Sequence, residues 1–350
     1  MKTSFVSNQS LSGVLRNAIL KGRDSLADAT KESATSRYAD IGLSLGGRTG
    51  KTIGLRDQYD RLNGIVDTNG LVSARLEITQ EALNGMRETA EKFLATLISV
   101  RDGEKGAQVL KSEAENNLQA MTGSANTSAS GQFIFAGINT QQKPVTDYFA
   151  TPAASNKAAL DAAFVGYFGF AQNAPGVANI TEADMTTFLQ TVLPTQFADP
   201  AWGANWSSAR DQNMTSRISL SEVVEVSTST NTQTMRDLAM TYTMALDLGA
   251  ENLNGDTFKA LLGATIDKVN QAIGGLIATQ AQLGSVEERI RTSSERLTIQ
   301  KDIMAKQIQA LEGVDPYEAN VRVTELTTQL DTSYALTVRI QQLNILKYMS

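Results

Sequence analysis

Between Leu262 and Leu311 an apolar residue returns at every seventh position: Leu262, Val269, Leu276, Leu283, Ile290, Leu297, Met304 and Leu311. With about 3.6 residues per turn, such positions fall back on one face, so a repeat sustained this long predicts a coiled coil or a long bundle helix. At 1.5 Å per residue it would span on the order of 75 Å. The second column of the heptad is mixed: Ile266 and Ile273, then Gln280, Glu287, Ser294 and Lys301, then Ile308. The helix therefore carries a narrow apolar stripe beside a polar face suited to hydrogen bonds and ion pairs with neighbours. Asp256, just after Asn254-Gly255, is its expected N-cap.

An earlier stretch matches it. Leu62, Leu76, Leu83, Ala90 and Leu97 form one column, interrupted by Asn69, and Ile65, Val72, Met86, Phe93 and Val100 form its partner, interrupted by Thr79. Asp102-Gly103 breaks the pattern before a further helix predicted from about Gly106 to Met121. A shorter helix is expected around Met235, Leu238, Tyr242 and Leu246, ending near Gly249. Two segments read as strands, GQFIFAGIN (131–139) and RISLSEVVEV (217–226), the second with Ile218, Leu220, Val224 and Val226 on one side. They are placed to pair with each other where the middle of the chain leaves and rejoins the helices.

Both ends carry amphipathic stripes. Near the start these are Leu11, Leu15, Ile19, Leu26 and Ala29. After the turn GVDPYEAN come Val323, Leu326 and Leu330, then Leu336, Ile340 and Leu343 on one face with Val338 and Ile345 opposite. A helix apolar on two faces must be covered on both sides, and the sequence assigns that cover to other copies of the chain. The candidate assembly residues are thus Leu11, Leu15, Ile19, Leu26, Leu326, Leu330, Leu336, Val338, Ile340, Leu343 and Ile345.

Aromatic residues and prolines concentrate between Phe133 and Trp206, where five of the six prolines lie. The fold expected is mainly α: a long antiparallel, coiled-coil-like helical rod with terminal helices and an inserted small β-containing middle domain. The expected division is an N-terminal assembly helix (1–45), ascending helices (46–130), the inserted domain (131–216), a return strand with descending helices (217–312), and a C-terminal assembly helix (313–350).

Composition narrows the chemistry. A net charge of −6 gives no basic footprint for nucleic acid. With no cysteine and no histidine, disulfides, thiolate nucleophiles and the commonest general base and metal ligand are excluded. No apolar run has signal-peptide or membrane-spanning length, which reads as a soluble cytosolic chain unless export uses no cleavable signal. GGRTGKT (46–52) imitates a phosphate loop, but Leu45 stands where the motif needs its first glycine, and Gly46 comes one residue late. The stretch reads instead as a flexible joint, with Arg48, Lys51 and Arg56 as a basic surface. Trp202 and Trp206 read as aromatic core, Glu287 and Glu288 as a solvated or inter-subunit charged face, and Asp315 and Glu318 as capping groups around Pro316.

Three stretches carry a resemblance. GQFIFAGINTQQKPVTDY (131–148), RISLSEVVEVSTSTN (217–231) and the C-terminal segment from GVDPYEAN to KYMS (313–350) resemble, in the same order, the flagellin superfamily of flagellar axial proteins. Within it they look most like the hook–filament junction members. Filament flagellin, built on the same plan, is the alternative, and a coiled-coil secretion effector or translocator is the alternative of another class. No apolar hairpin long enough for a translocator to enter a bilayer is visible. The segment IGLSLGGRTGKTIGLRDQYD departs from the family pattern of an acidic pair followed by proline, and about 149–210 matches nothing recognisable. The resemblance implies a structural protein without catalysis, cofactor or metal, exported unfolded by the flagellar secretion apparatus with an export chaperone and located outside the cell. Its implied partners are further copies of itself in a ring, a hook-associated protein on the hook side and flagellin on the filament side, with no nucleic acid and no membrane insertion.

Overall fold

The computed structural model describes residues 8–101 and 106–348, with the side chains of 8–12, 341 and 343–348 outside the description. The helices in chain order are α1 (Asn8–Thr35), α2 (Ile41–Leu45), α3 (Thr49–Arg101), α4 (Ala107–Ala125), α5 (Ser155–Phe168), α6 (Glu182–Thr187), α7 (Leu193–Phe197), α8 (Gln233–Asp247), α9 (Gly255–Glu312) and α10 (Pro316–Tyr348). Four short strands interrupt them: β1 (Ser128–Ala129), β2 (Gln132–Phe133), β3 (Thr215–Arg217) and β4 (Val223–Glu225). The chain is mainly helical, with long helices and small two-stranded sheets in its middle region, as the sequence predicts. It divides into two compact units, residues 1–64 with 296–350 and residues 65–295.

In the second unit the two heptad columns meet. Leu76, Leu83, Ala90, Phe93 and Leu97 of α3 share one buried core with Leu262, Val269, Leu276, Leu283 and Ile290 of α9, joined by Leu110 and Leu118 of α4 and Leu238 and Tyr242 of α8. The helices run antiparallel. Asn69 Nδ2 donates to Ser294 Oγ at 2.9 Å, and Gln80 Nε2 donates to the Gln280 carbonyl at 2.9 Å. The polar gaps in the columns are therefore buried positions with specific work. Asn69 is 1 % exposed, and its amide also reaches the Ile218 carbonyl at 3.1 Å, which accepts Ser293 Oγ at 2.7 Å from the other helix. Thr79 is buried as well and returns its hydroxyl to the Arg75 carbonyl.

The charged pair on α9 divides. Glu288 is exposed and holds Arg291 at 2.6 Å. Glu287 is half-buried, with Oε1 enclosed and without a hydrogen-bond partner. Desolvation, then the neighbouring Glu77 carboxylate, raises its pKa above the ordinary glutamate value. A carboxyl whose folded pKa is raised binds its proton more tightly when folded. It therefore costs stability above that pKa, and the cost disappears once pH falls below the ordinary value of 4.5. Glu287→Gln is expected to raise the thermal midpoint at pH 7 and to leave it unchanged at low pH. A lower midpoint at pH 7 would contradict this assignment.

Several expectations are corrected. The N-cap of α9 is Asn254, whose Oδ1 accepts the Thr257 amide at 3.0 Å, while Asp256 lies within the first turn. The two predicted strands do not form a sheet with each other. Ser130 and Gly131, at φ 51° and 78°, make a two-residue turn that folds β1 onto β2. In RISLSEVVEV the segment Ser219–Glu222 turns, pairing β3 with β4 and leaving Leu220 46 % exposed while Ile218, Val224 and Val226 are buried. The first segment instead meets the chain just beyond the second, through a single bridge, Ala136 to Ser229, and the bond from Thr230 N–H to the Phe135 carbonyl at 2.9 Å. Beyond β2 the chain turns at Gly137, whose φ is +60° and where a Cβ would lie 2.3 Å from the Arg210 carbonyl oxygen.

Helices and short turns, rather than strands, build most of 149–210. Their core is aromatic. Trp202 and Trp206 stack at 5.5 Å with planes 10° apart, and Tyr148 and Phe197 pack on Trp206 at 5.5 and 5.2 Å. Trp202 Nε1–H finds Asn231 Oδ1 at 3.0 Å, and the Arg236 guanidinium sits 5.6 Å from its ring.

Candidate assembly interface

The first unit contains the two chain ends. α1 and α10 lie side by side, and the close approach is made at Gly22, where a Cβ would meet Leu330 Cδ2 at 3.0 Å. Leu330, Ala29 and Ala319 are buried. Small residues on one helix thus let a large one from the other seat closely, the ridge-and-groove logic of helix pairing.

The loops between these helices and their neighbours are locked. Glu312, the last residue of α9, has a fully enclosed side chain and receives both Arg37 and Arg56, the latter through Nε at 2.8 Å. The backbones beside it pair too: Tyr38 N–H donates to the Glu312 carbonyl and Val314 N–H to the Ser36 carbonyl, each at 3.0 Å. Glu32 adds Arg322 at 3.0 Å and the Ala39 amide at 3.2 Å, and Ser33 Oγ donates to Asn320 Oδ1 at 2.7 Å. Asp315 caps α10, accepting the Tyr317 amide at 2.8 Å, with Pro316 at the first helical position. Arg56, expected on a basic surface, is instead a half-buried partner of Glu312. Nothing in the pattern marks Arg37, Arg56 and Glu312 as a cluster, because residue 312 is far from both arginines in sequence.

Removing the carboxylate strands two half-exposed guanidinium groups. Because both arginines keep access to water, the loss is discounted from that of a fully buried pair, and Glu312→Ala is expected to destabilise this unit by about 2 kcal/mol. Urea denaturation measures it, and an unchanged midpoint would show the clasp to be idle.

GGRTGKT forms this unit's helical joint. Gly46, at φ +52°, ends α2, and one tight turn leads into α3 at Thr49, whose hydroxyl donates to the Gly46 carbonyl at 2.8 Å. Gly50, Lys51 and Thr52 already lie inside the helix, with Thr52 buried, so no loop of backbone amides is left to cradle a phosphate.

Of the candidate assembly residues, Leu330 is buried, and Leu15, Ile19, Leu26, Leu326 and Ile340 are half-buried. Leu336 and Val338 stand 48 % and 51 % exposed. The side chains of Leu11, Leu343 and Ile345 lie outside the described residues. On α1, Val14 and Leu20 are also exposed, at 63 % and 49 %. One apolar face of the terminal helices is therefore met within the chain, where the sequence reading expected other copies, and apolar side chains remain open beyond it. Among the described residues no helix is long and apolar enough to cross a membrane, and no group of three or more acidic side chains is placed to hold a metal ion.

Comparison with known families bears on both ends of this arrangement. Residues 6–140 match the bacterial flagellin N-terminal helical region, and residues 266–349 match the bacterial flagellin C-terminal helical region. No curated protein matches the chain.

Proposed function

Because a chain that carries both helical regions of bacterial flagellin, at its two ends and in order, belongs to the flagellin superfamily, we propose that this one builds the hook–filament junction, in the manner of hook-associated protein 3. The superfamily is structural and non-enzymatic. Its members self-assemble into flagellar polymers and are exported to the flagellum outside the cell. The observation that supports an assembly role is the α1–α10 pair with Leu336 and Val338 left open on its surface. In this reading 1–45 and 313–350 are the assembly segments: Leu330 closes the α1–α10 pair within the chain, and the rest of the stripe, from Leu11 to Leu26 and from Leu326 to Ile345, meets neighbouring subunits of a ring. A hook-associated protein lies on one side of the ring and flagellin on the other, and an export chaperone holds the chain before secretion.

The junction reading rests on the likeness of 131–148 and 217–231 to the junction members. The alternative, a filament subunit, is favoured by the match of both ends to regions described for flagellin itself. A clean deletion separates them. Loss of a junction subunit leaves hooks on the cells and flagellin free in the medium, since filament growth has no base. Loss of a filament subunit leaves hooks with no flagellin shed. Intact filaments on the deletion strain would contradict both.

A further inference from the structure

Residues 141–265 lie between the two family matches, which end at 140 and resume at 266, and they carry a cluster of partly exposed aromatic residues. Tyr167, Phe168 and Phe170, with Gly176, Asn179, Ile180 and Asp184, line an open cavity of about 430 Å³. The local sequence makes the wall. Gly169, at φ +81°, ends α5 in a left-handed cap and turns the chain so that Phe170 comes back beside Phe168, with centroids 6.3 Å apart. Phe170 lies against Gly176: a Cβ there would be 3.0 to 3.3 Å from three ring atoms, so glycine is what lets the ring settle. Tyr167 meets Phe168 edge-on at 4.8 Å and 83°, and Phe188 backs both rings at 5.5 and 5.2 Å. Tyr167 remains 38 % exposed and Phe168 and Phe170 half-exposed.

The charge at the cavity is one-sided. Asp184 is its only charged lining group, and no lysine or arginine borders it. Asp184 is exposed; its Oδ2 accepts the Thr181 hydroxyl at 2.7 Å, while its own amide donates to that hydroxyl oxygen at 3.1 Å. Aromatic faces are negative, and so is the carboxylate, and the remaining lining (Gly176, Asn179 and Ile180) brings no positive charge, so an anion finds no cationic partner here. A flat sugar ring would call for a flat platform, whereas Tyr167 and Phe168 stand nearly perpendicular. A neutral apolar group would gain nothing from Asp184. A weakly hydrated organic cation gains from the ring faces and the carboxylate together.

We infer that this cavity binds a quaternary ammonium group, of the kind carried by choline. The site belongs to the inserted region and stands independently of the junction reading. The test titrates choline chloride into the full-length monomer by calorimetry, beside its neutral isostere in which a tert-butyl group replaces trimethylammonium. Choline is expected to bind with a dissociation constant of roughly a millimolar or below, and the isostere at least about fivefold more weakly. Asp184→Asn should weaken choline by about fivefold and leave the isostere unchanged, while Phe170→Ala should weaken both. Should Phe170→Ala perturb folding, Gly176→Ala, which only pushes the ring aside, replaces it. Retention on phosphatidylcholine vesicles but not phosphatidylglycerol vesicles would identify a lipid headgroup as the source, and binding of free choline alone a soluble ligand. Equal affinity for choline and isostere, no heat with choline at about 50 mM, or binding of glucose in its place overturns the inference.

Discussion

An aspartate at Val338, or at Ile340 on the opposite face of α10, is expected to leave the isolated chain folded and to abolish its assembly. Val338 is 51 % exposed in the single chain, so a carboxylate there stays in water and costs the monomer little. In a polymer whose terminal helices meet through that face, the same carboxylate is enclosed without a partner, a loss of several kcal/mol at each subunit. At about 1.4 kcal/mol per tenfold, 3 kcal/mol already raises the concentration needed for assembly about a hundredfold. Ile340→Asp acts likewise, with some added cost to the monomer because Ile340 is half-buried. Circular dichroism of the purified variants should match wild type, while cells carrying them should keep hooks and lose flagellin to the medium. Normal swimming by the Val338→Asp strain would remove the terminal helices as the seam.

Trp202→Ala is expected to do the reverse. Its ring is 0 % exposed and stacked on Trp206, and its N–H is held by Asn231. Truncation leaves a cavity and takes the aromatic face from beneath Arg236, a change expected to cost about 3–5 kcal/mol. Urea unfolding followed by fluorescence of Trp206 should show the lower midpoint. The terminal helices belong to the other compact unit, so assembly below the variant's unfolding temperature should be retained. A variant as stable as wild type would mean that the stack is not the centre of this core.

The two heptad columns were legible because burial on long helices repeats at a fixed period. Leu262 to Leu297 and Leu76 to Leu97 are buried where the pattern places them. The polar interruptions were visible only as gaps, because their partners lie on other segments: the Ile218 carbonyl that joins Asn69 to Ser293 is 149 residues from the first of these. The strand pattern misleads for a local reason. Alternation marks extended chain, but Ser130-Gly131 and the serine-rich turn after Ile218 bend it into separate hairpins. Of the assembly face, the apolar stripe could be read directly. The Glu312 clasp could not, since an arginine at 37 or 56 looks like any surface arginine until the fold brings the carboxylate to it. The cluster of aromatic residues was equally plain, but the exposure of Tyr167 and the burial of Trp202 depend on packing that no period encodes.

The central claim is a place on the flagellum, and immunogold labelling of whole flagella with antibody against the inserted region tests it directly. A junction subunit gives a single band where hook meets filament. Gold along the full filament would make the chain a flagellin, and unlabelled flagella would contradict the axial role altogether.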